Sequence, residues 1–336
     1  GVEELLIHTG QHFDQNMSQI FFDQMGIPEP AVHLGVNNMD HGAMTGKMLE
    51  GIETVLKQEK PDVVLVYGDT NSTLAGALAA SKLHIPLAHV EAGLRSFNMD
   101  MPEEINRILT DRISKWLFCP TTGAVDNLKR EGFENFDCEI IKNGDVMQDA
   151  AIYYAEKSAK PNLDLPNKFI LCTIHRAENT DDPSSLKSIF KALEEISKEC
   201  KVVIPLHPRT KDRLSRLEYN MKDSNILFIP PVGYLEIVYL LKNCCLVMTD
   251  SGGLQKEAYF FDKYCITLRE ETEWVELVNK GCNLLAGSRY QTIIGAFRRI
   301  FLNEDIKFND KFYGEGNAGE VVIKTLINYT FTNQNY

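Results

Sequence analysis

At 336 residues, with 44% hydrophobic and 24% charged side chains, the chain has apolar material for about two globular domains of roughly 150 residues each. Its 47 acidic against 35 basic residues leave a net charge of −12, a surface that repels nucleic acid and anionic lipid, and no basic patch overrides it. No apolar run reaches the length of a membrane span and no signal peptide opens the sequence, so a soluble, cytoplasmic protein without membrane or nucleic-acid partners is expected.

In chain order, β-rich apolar runs predict strands at Leu5–His8, Val63–Tyr67, Leu87–Glu91, Trp116–Pro120, Phe169–Ile174, Val202–Leu206, Ile226–Ile229, Leu246–Thr249 and Tyr264–Leu268. Helix-period stretches fall between them, among them Gly42–Gln58, Ser72–Leu83, Pro102–Ser114, Leu186–Lys198 and Gly252–Phe261. Continuous apolar strands alternating with helices predict an α/β protein of doubly wound parallel sheets, covered on both faces. Lys, Pro and Asn cluster without periodicity over Glu156–Lys168, which reads as a linker between a domain over residues 1–160 and another over 168–312. Such a pair has an interdomain cleft at the carboxyl ends of its strands. A last helix, Glu320–Tyr329 within the tail 313–336, is expected to fold back onto the first domain. Such a domain normally opens with a strand–helix unit ahead of a segment like Leu5–His8, and about one such unit is expected beyond this sequence.

The eight cysteines are scattered, with no C-x-x-C, and are expected to be buried reduced thiols. His8, His33, His41 and His84 lack metal-ligand spacing, so no metal is expected. Gly314–Gly319 spells G-x-G-x-x-G, but no strand runs into it and no βαβ unit follows, so it is a decoy and not a dinucleotide fingerprint.

Chemistry-bearing residues gather at predicted strand ends. Tyr67-Gly68-Asp69-Thr70-Asn71 passes from strand to helix, and Asp69 is there either a turn residue or a catalytic carboxylate. Glu91 ends the next strand in His89-Val90-Glu91-Ala92-Gly93-Leu94-Arg95, and Glu103 and Glu104 open the helix after Pro102, where the bland reading is helix-dipole complementation. Three carboxylates on one sheet edge favour the catalytic reading. In the second half, His175-Arg176 and His207-Pro208-Arg209 follow successive strands and suit proton transfer and anion binding. Thr249-Asp250-Ser251-Gly252-Gly253 opens a helix whose first N–H groups, carrying about half a positive charge, can hold a phosphate; Glu257 is placed for ribose hydroxyls.

Taken together these segments resemble bacterial and archaeal non-hydrolysing UDP-N-acetylglucosamine 2-epimerases. The resemblance rests on Thr9-Gly10-Gln11-His12, Gly68-Asp69-Thr70, His89 to Arg95, Pro102-Glu103-Glu104 through Arg107, His175-Arg176 and Thr249 to Glu257, in family order over almost the whole chain. It implies the GT-B fold, two Rossmann-like domains with UDP held mainly by the second, no cofactor, and a homodimer. It nominates Asp69, Glu91, Glu103 and His175 as catalytic and Arg95, Arg107, Arg176, His207, Ser251, Gly252, Gly253 and Glu257 as substrate-binding, with Gln11 and His12 as a regulatory or sugar contact.

The implied reaction inverts C2 of a UDP-N-acetylhexosamine for surface-polysaccharide precursor synthesis. That C–H is not α to a carbonyl, so the family route eliminates UDP across C1–C2 to a bound 2-acetamidoglucal and re-adds it with protonation on the other face. A base, an opposing acid and a stabilised leaving diphosphate are required; which carboxylate acts on which face stays open.

Three departures stand out. The family's opening strand and G-T-R-P-E-like loop are missing. Thr272-Glu273-Trp274-Val275-Glu276 replaces T-E-R-P-E, and Asp14 stands where some bacterial members hold a regulatory substrate with glutamine, so that allostery is not expected. Trp274 with Arg95 to Met99 and His175 to Asn179 looks closest to a sub-branch acting on UDP-2,3-diacetamido-2,3-dideoxyglucuronate. The rival readings are a hydrolysing 2-epimerase, a GT-B glycosyltransferase and an inactive nucleotide-sugar-binding protein.

Overall fold

The computed structural model describes residues 2–11, 25–302, 308 and 310–333; His12 and Asp14 lie outside them. The chain divides into two units, Gly1–Asp149 with Lys311–Tyr336, and Ala150–Asp310. The division falls inside the helix Val146–Ala155, so Glu156–Lys168 belongs to the second unit. Ala159 N–H donates to the Leu235 carbonyl there, and Lys242 Nζ to the Ala155 carbonyl.

In the first unit β1 (Ile7–His8) and β2 (Val32–His33) form one parallel pair. A separate parallel sheet runs in sequence order through β3 (Val64–Tyr67), β4 (Leu87–Val90), β5 (Trp116–Cys119) and β6 (Glu139–Lys142). Its two central strands, β4 and β5, are buried along their whole length because both faces are covered. On one face the helix Asn71–Lys82 presents Ala75, Ala77, Ala79 and Ala80, a surface small enough for the helix His41–Glu59 to close in with Met48, Ile52 and Leu56. Ile7, Leu34 and Val36 join the same core. On the other face Ala88, Val90, Trp116 and Phe118 receive Val322 and Tyr329 from the helix Ala318–Asn333, and the Trp116 and Tyr329 rings meet edge-on at 4.7 Å. Full burial of each such large side chain contributes about 1.5–3 kcal/mol.

The second unit holds a six-stranded parallel sheet of β7 (Phe169–Thr173), β8 (Lys201–Pro205), β9 (Leu227–Ile229), β10 (Leu246–Thr249), β11 (Cys265–Thr267) and β12 (Asn283–Leu285), in the order β12-β11-β10-β7-β8-β9. The first strand pairs with the fourth, Thr173 opposite Thr249, and strand order reverses between them. A doubly wound sheet opens a crevice at the carboxyl ends of that switch point. One face packs on Ile189, Phe190, Leu193 and Phe297, the other on Leu240, Leu241, Leu254 and Ala258.

The Gly314–Gly319 run is a turn with left-handed Gly314 and Gly316 leading into the last helix. All eight cysteines are free thiols. Among the described residues no helix is long and apolar enough to cross a membrane.

Candidate active site

In the first unit the chemistry sits on two neighbouring strand ends and the helix that follows them. After β3 the chain turns left-handed at Gly68 (φ 63°) and starts the helix Asn71–Lys82 at Thr70, whose hydroxyl and that of Thr73 cap each other's backbone N–H. Asp69 is thereby held at the carboxyl end of the sheet. After β4, Glu91 itself adopts a left-handed conformation (φ 71°), a strain of about 1–3 kcal/mol for a residue with a side chain. Gly68 N–H donates to the Val90 carbonyl and so ties the two turns together. The Glu91 carboxylate lies 3.4 Å from where a β-carbon on Gly68 would stand.

Pro102 starts the helix Pro102–Ile113, which carries Glu103, Glu104 and Arg107. Arg107 is buried; its Nη2 donates to Asp69 Oδ2 at 2.5 Å and its Nη1 to Glu104 Oε2 at 3.0 Å. Asn106 Nδ2 donates to the Asp69 carbonyl at 2.9 Å. Burial raises the Asp69 carboxyl above its ordinary range; Arg107 opposes this, and Glu91 and Glu103 add to it. Asp69, Glu91 and Glu103 therefore share one electrostatic neighbourhood.

The other nominated residues of this unit make contacts within it. Arg95 was expected to bind substrate, but its guanidinium is buried and engaged with the Leu94 carbonyl, Asp111 and Glu131, the last in a bidentate pair at 2.7 and 2.8 Å. Arg107 faces carboxylates of its own chain. Gln11 Oε1 accepts from Ser72 N–H and Ser72 Oγ, satisfying an N–H of the helix start.

In the second unit the site follows the switch point. The buried Asp250 carboxylate accepts the backbone N–H groups of His175 and Arg176, each at 3.1 Å, and Asn179 Nδ2 at 3.0 Å. One carboxylate thus shapes the whole loop after β7. The His175 side chain is 39% exposed, with Nδ1 3.5 Å from Asp250 Oδ1 and its ring 5.9 Å from that of His207. Burial lowers its pKa below 6.5, Asp250 opposes this, and His207 and Arg176 reinforce it, so the neutral ring is favoured at neutral pH. His207 caps the helix Pro208–Arg216, Nδ1 accepting Arg209 N–H.

Ser251 caps the nine-residue helix Gly252–Phe260, its hydroxyl accepting Leu254 N–H. The Glu273 carboxylate stands over this start, with Oε1 only 2.5 Å from where a Gly252 β-carbon would be and Arg176 Nη2 3.9 Å from the same point. Arg269 Nη1 holds Glu273 Oε2 at 3.1 Å. An anion and two arginines already gather where first-turn N–H groups lack helical partners. Trp274 is buried, its Nε1–H donating to the Gly252 carbonyl at 3.0 Å and its ring lying 4.2 Å from Lys256 Nζ. Glu257 is buried near Tyr234, whose hydroxyl burial and then Glu257 push up.

Sequence reading passed over Asp111, Glu131 and Arg269, and gave no role of their own to Glu273 and Asp250. Asp250 alone carried a usable signal, since a carboxylate at a central strand end commonly grips the adjacent loop. The others act through partners 16 to 36 positions away, as in Arg95 with Asp111 and Glu131, or through a turn that no local pattern marks.

The sequence model of the family described as UDP-N-acetylglucosamine 2-epimerase matches residues 1–327. The UDP-2,3-diacetamido-2,3-dideoxy-D-glucuronate 2-epimerase of Pseudomonas aeruginosa is 55% identical, with 97% of this chain and 91% of that protein covered. The UDP-N-acetylglucosamine 2-epimerase of Methanocaldococcus jannaschii is 45% identical, covering 96% of this chain and 90% of that one. A crystal structure of the M. jannaschii enzyme in complex with UDP-GlcNAc and UDP superposes with a TM-score of 0.87 at 42% identity, over 97% of this chain and 92% of that one. The Neisseria meningitidis enzyme bound to UDP-GlcNAc gives 0.85 at 32%, over 97% and 92%. These likenesses bear out the expected GT-B class, built from two Rossmann-like parallel-sheet units. The chain is an isomerase of the UDP-N-acetylglucosamine 2-epimerase family.

Proposed function

We propose that the chain inverts C2 of a UDP-linked N-acetylhexosamine by eliminating and re-adding UDP. The observation that carries this reading is the cluster of Asp69, Glu91 and Glu103, in which the half-buried Asp69 is paired with Arg107 and its carboxyl is raised by burial and by the two neighbouring glutamates. One carboxylate removes the C2 proton while the C1–O bond breaks, its electron pair leaving with UDP. The 2-acetamidoglucal then regains UDP at C1 and a proton at C2 from an acid on the opposite face. The first unit supplies the proton chemistry through Asp69, Glu91 and Glu103. The second supplies His175, Arg176, His207 and the Ser251-Gly252-Gly253 helix start for the diphosphate, and Glu257 for the ribose.

The substrate assigned is UDP-2,3-diacetamido-2,3-dideoxyglucuronate, because identity is 55% to the Pseudomonas enzyme named for it and 45% to the Methanocaldococcus enzyme named for UDP-N-acetylglucosamine. UDP-N-acetylglucosamine is the second reading. The enzyme works as a cytoplasmic homodimer supplying a surface-polysaccharide precursor, which sedimentation and cell fractionation test. Comparing kcat/KM for the two sugar nucleotides tests the substrate. The uronate should be favoured by about tenfold or more, a 1.4 kcal/mol preference; a reversed ratio overturns the assignment.

A further inference from the structure

The ring of His89 is fully buried on β4 and touches two oxygens, one of a side-chain carboxyl group and one of a backbone carbonyl. Nδ1 lies 2.7 Å from Asp111 Oδ1, and Nε2 lies 2.7 Å from the carbonyl oxygen of Gly68. A neutral imidazole has one N–H and one lone pair, so in this pocket one contact would set a lone pair against an oxygen. With Asp111 Oδ2 already taking Arg95 Nη1 at 2.7 Å and Gly93 N–H at 3.1 Å, as a carboxylate does, the doubly protonated ring satisfies both.

We infer that His89 is a buried imidazolium that positions the Gly68–Asp69 turn, and with it the carboxylates at the strand ends. The groups around it fit a cation. Asp111 faces it from the helix Pro102–Ile113, the Gly68 carbonyl from the turn after β3, and Glu91 from the end of its own strand. Beyond Asp111 lie Arg95, Glu131 and the Gly93 N–H, and Cys119 at the end of β5 is pushed up and stays a neutral thiol. Burial works against the charge on His89, yet Asp111, Gly68 and Glu91 outweigh it and its pKa is raised above 6.5. The ring fixes the carbonyl of a left-handed glycine whose next residue is Asp69, and it sits two positions before the strained Glu91. His89 acts through these residues and is a positioning residue. Its kinetic consequence rests on the proposed epimerisation; its protonation state does not.

The test has two arms on the full chain. In the first, side-chain ¹⁵N NMR of histidine-labelled protein follows the signal lost in His89→Gln. It should keep both ring nitrogens protonated well above 6.5, and in Asp111→Asn it should lose one proton at lower pH. A neutral tautomer at neutral pH overturns the inference, and where His89→Gln fails to fold the ring is assigned instead by through-bond correlation to its own backbone, so this arm still decides. In the second arm, folded His89→Gln should lose about a hundredfold in kcat, the scale of a misplaced catalytic group, with KM and UDP affinity within about threefold. Unchanged kcat in a folded variant overturns the positioning role. If the parent chain itself turns over no UDP-sugar, the epimerase reading fails, while the NMR arm still decides the state of the ring.

Discussion

Replacing Arg107 by methionine removes the cation between two carboxylates while keeping most of the side-chain volume. Breaking a buried ion pair by deleting one partner costs about 3–5 kcal/mol. Two features reduce that figure here. The Asp69 side chain is 31% exposed, and Glu104 keeps three other donors, Ser96 N–H, Ser96 Oγ and Phe97 N–H at 2.8, 2.9 and 3.0 Å. The expected loss is therefore about 2–3 kcal/mol, or a Tm lower by roughly 4–12 °C at about 2–4 °C per kcal/mol. The pH dependence separates this loss from simple packing. Asp69 already has a raised folded pKa, so its contribution to stability is present below 3.8 and is lost as pH rises through the folded value. Without Arg107 that value moves higher still, and the deficit should grow from acid to neutral pH. Urea unfolding of Arg107→Met and the parent across that range measures it, and Glu104→Gln completes a double-mutant cycle. A loss under about 1 kcal/mol, or one independent of pH, refutes the reasoning.

Asp69→Asn should lower kcat by about 10²–10⁴-fold, the range for a general acid or base, with UDP affinity by calorimetry unchanged; equal loss of both would point to misfolding. His175 has a folded pKa depressed below 6.5, so its contribution to stability is present above 6.5 and is lost as pH falls through the folded value. His175→Asn should flatten that acid-side decline in a thermal-melt series. In Gly252→Ala the new methyl meets Glu273 Oε1 at 2.5 Å, displacing a carboxylate held by Arg269. UDP affinity should change while Asp69-dependent proton chemistry, read by kcat at saturation, does not. Trp274→Ala should destabilise the second unit by about 3–5 kcal/mol through cavity formation and the lost bond to Gly252, visible in denaturant unfolding.

Strands buried on both faces were legible because their code is compositional. Leu87–Val90, Trp116–Cys119 and Leu246–Thr249 lie within predicted runs. The strands Val32–His33, Glu139–Lys142 and Asn283–Leu285 went unpredicted: each is short, lies at a sheet edge, and carries few apolar side chains to form a pattern. The placement of Asp69, Glu91 and His175 just beyond carboxyl strand ends was legible from the strand pattern alone. The ion pairs of Arg95 and Arg107 were not, since a motif gives the residue and not the direction of its side chain. Both arginines turn towards carboxylates of their own unit. The charge on His89 was hidden for the same reason, because it depends on a carbonyl 21 residues away and a carboxylate 22 residues away.

The central claim is proton exchange at C2 coupled to reversible loss of UDP, and turnover in deuterated water reads it directly. The account predicts deuterium at C2 of both epimers while each remains attached to UDP. An epimerised product without deuterium, or free sugar and UDP as the only products, would contradict it.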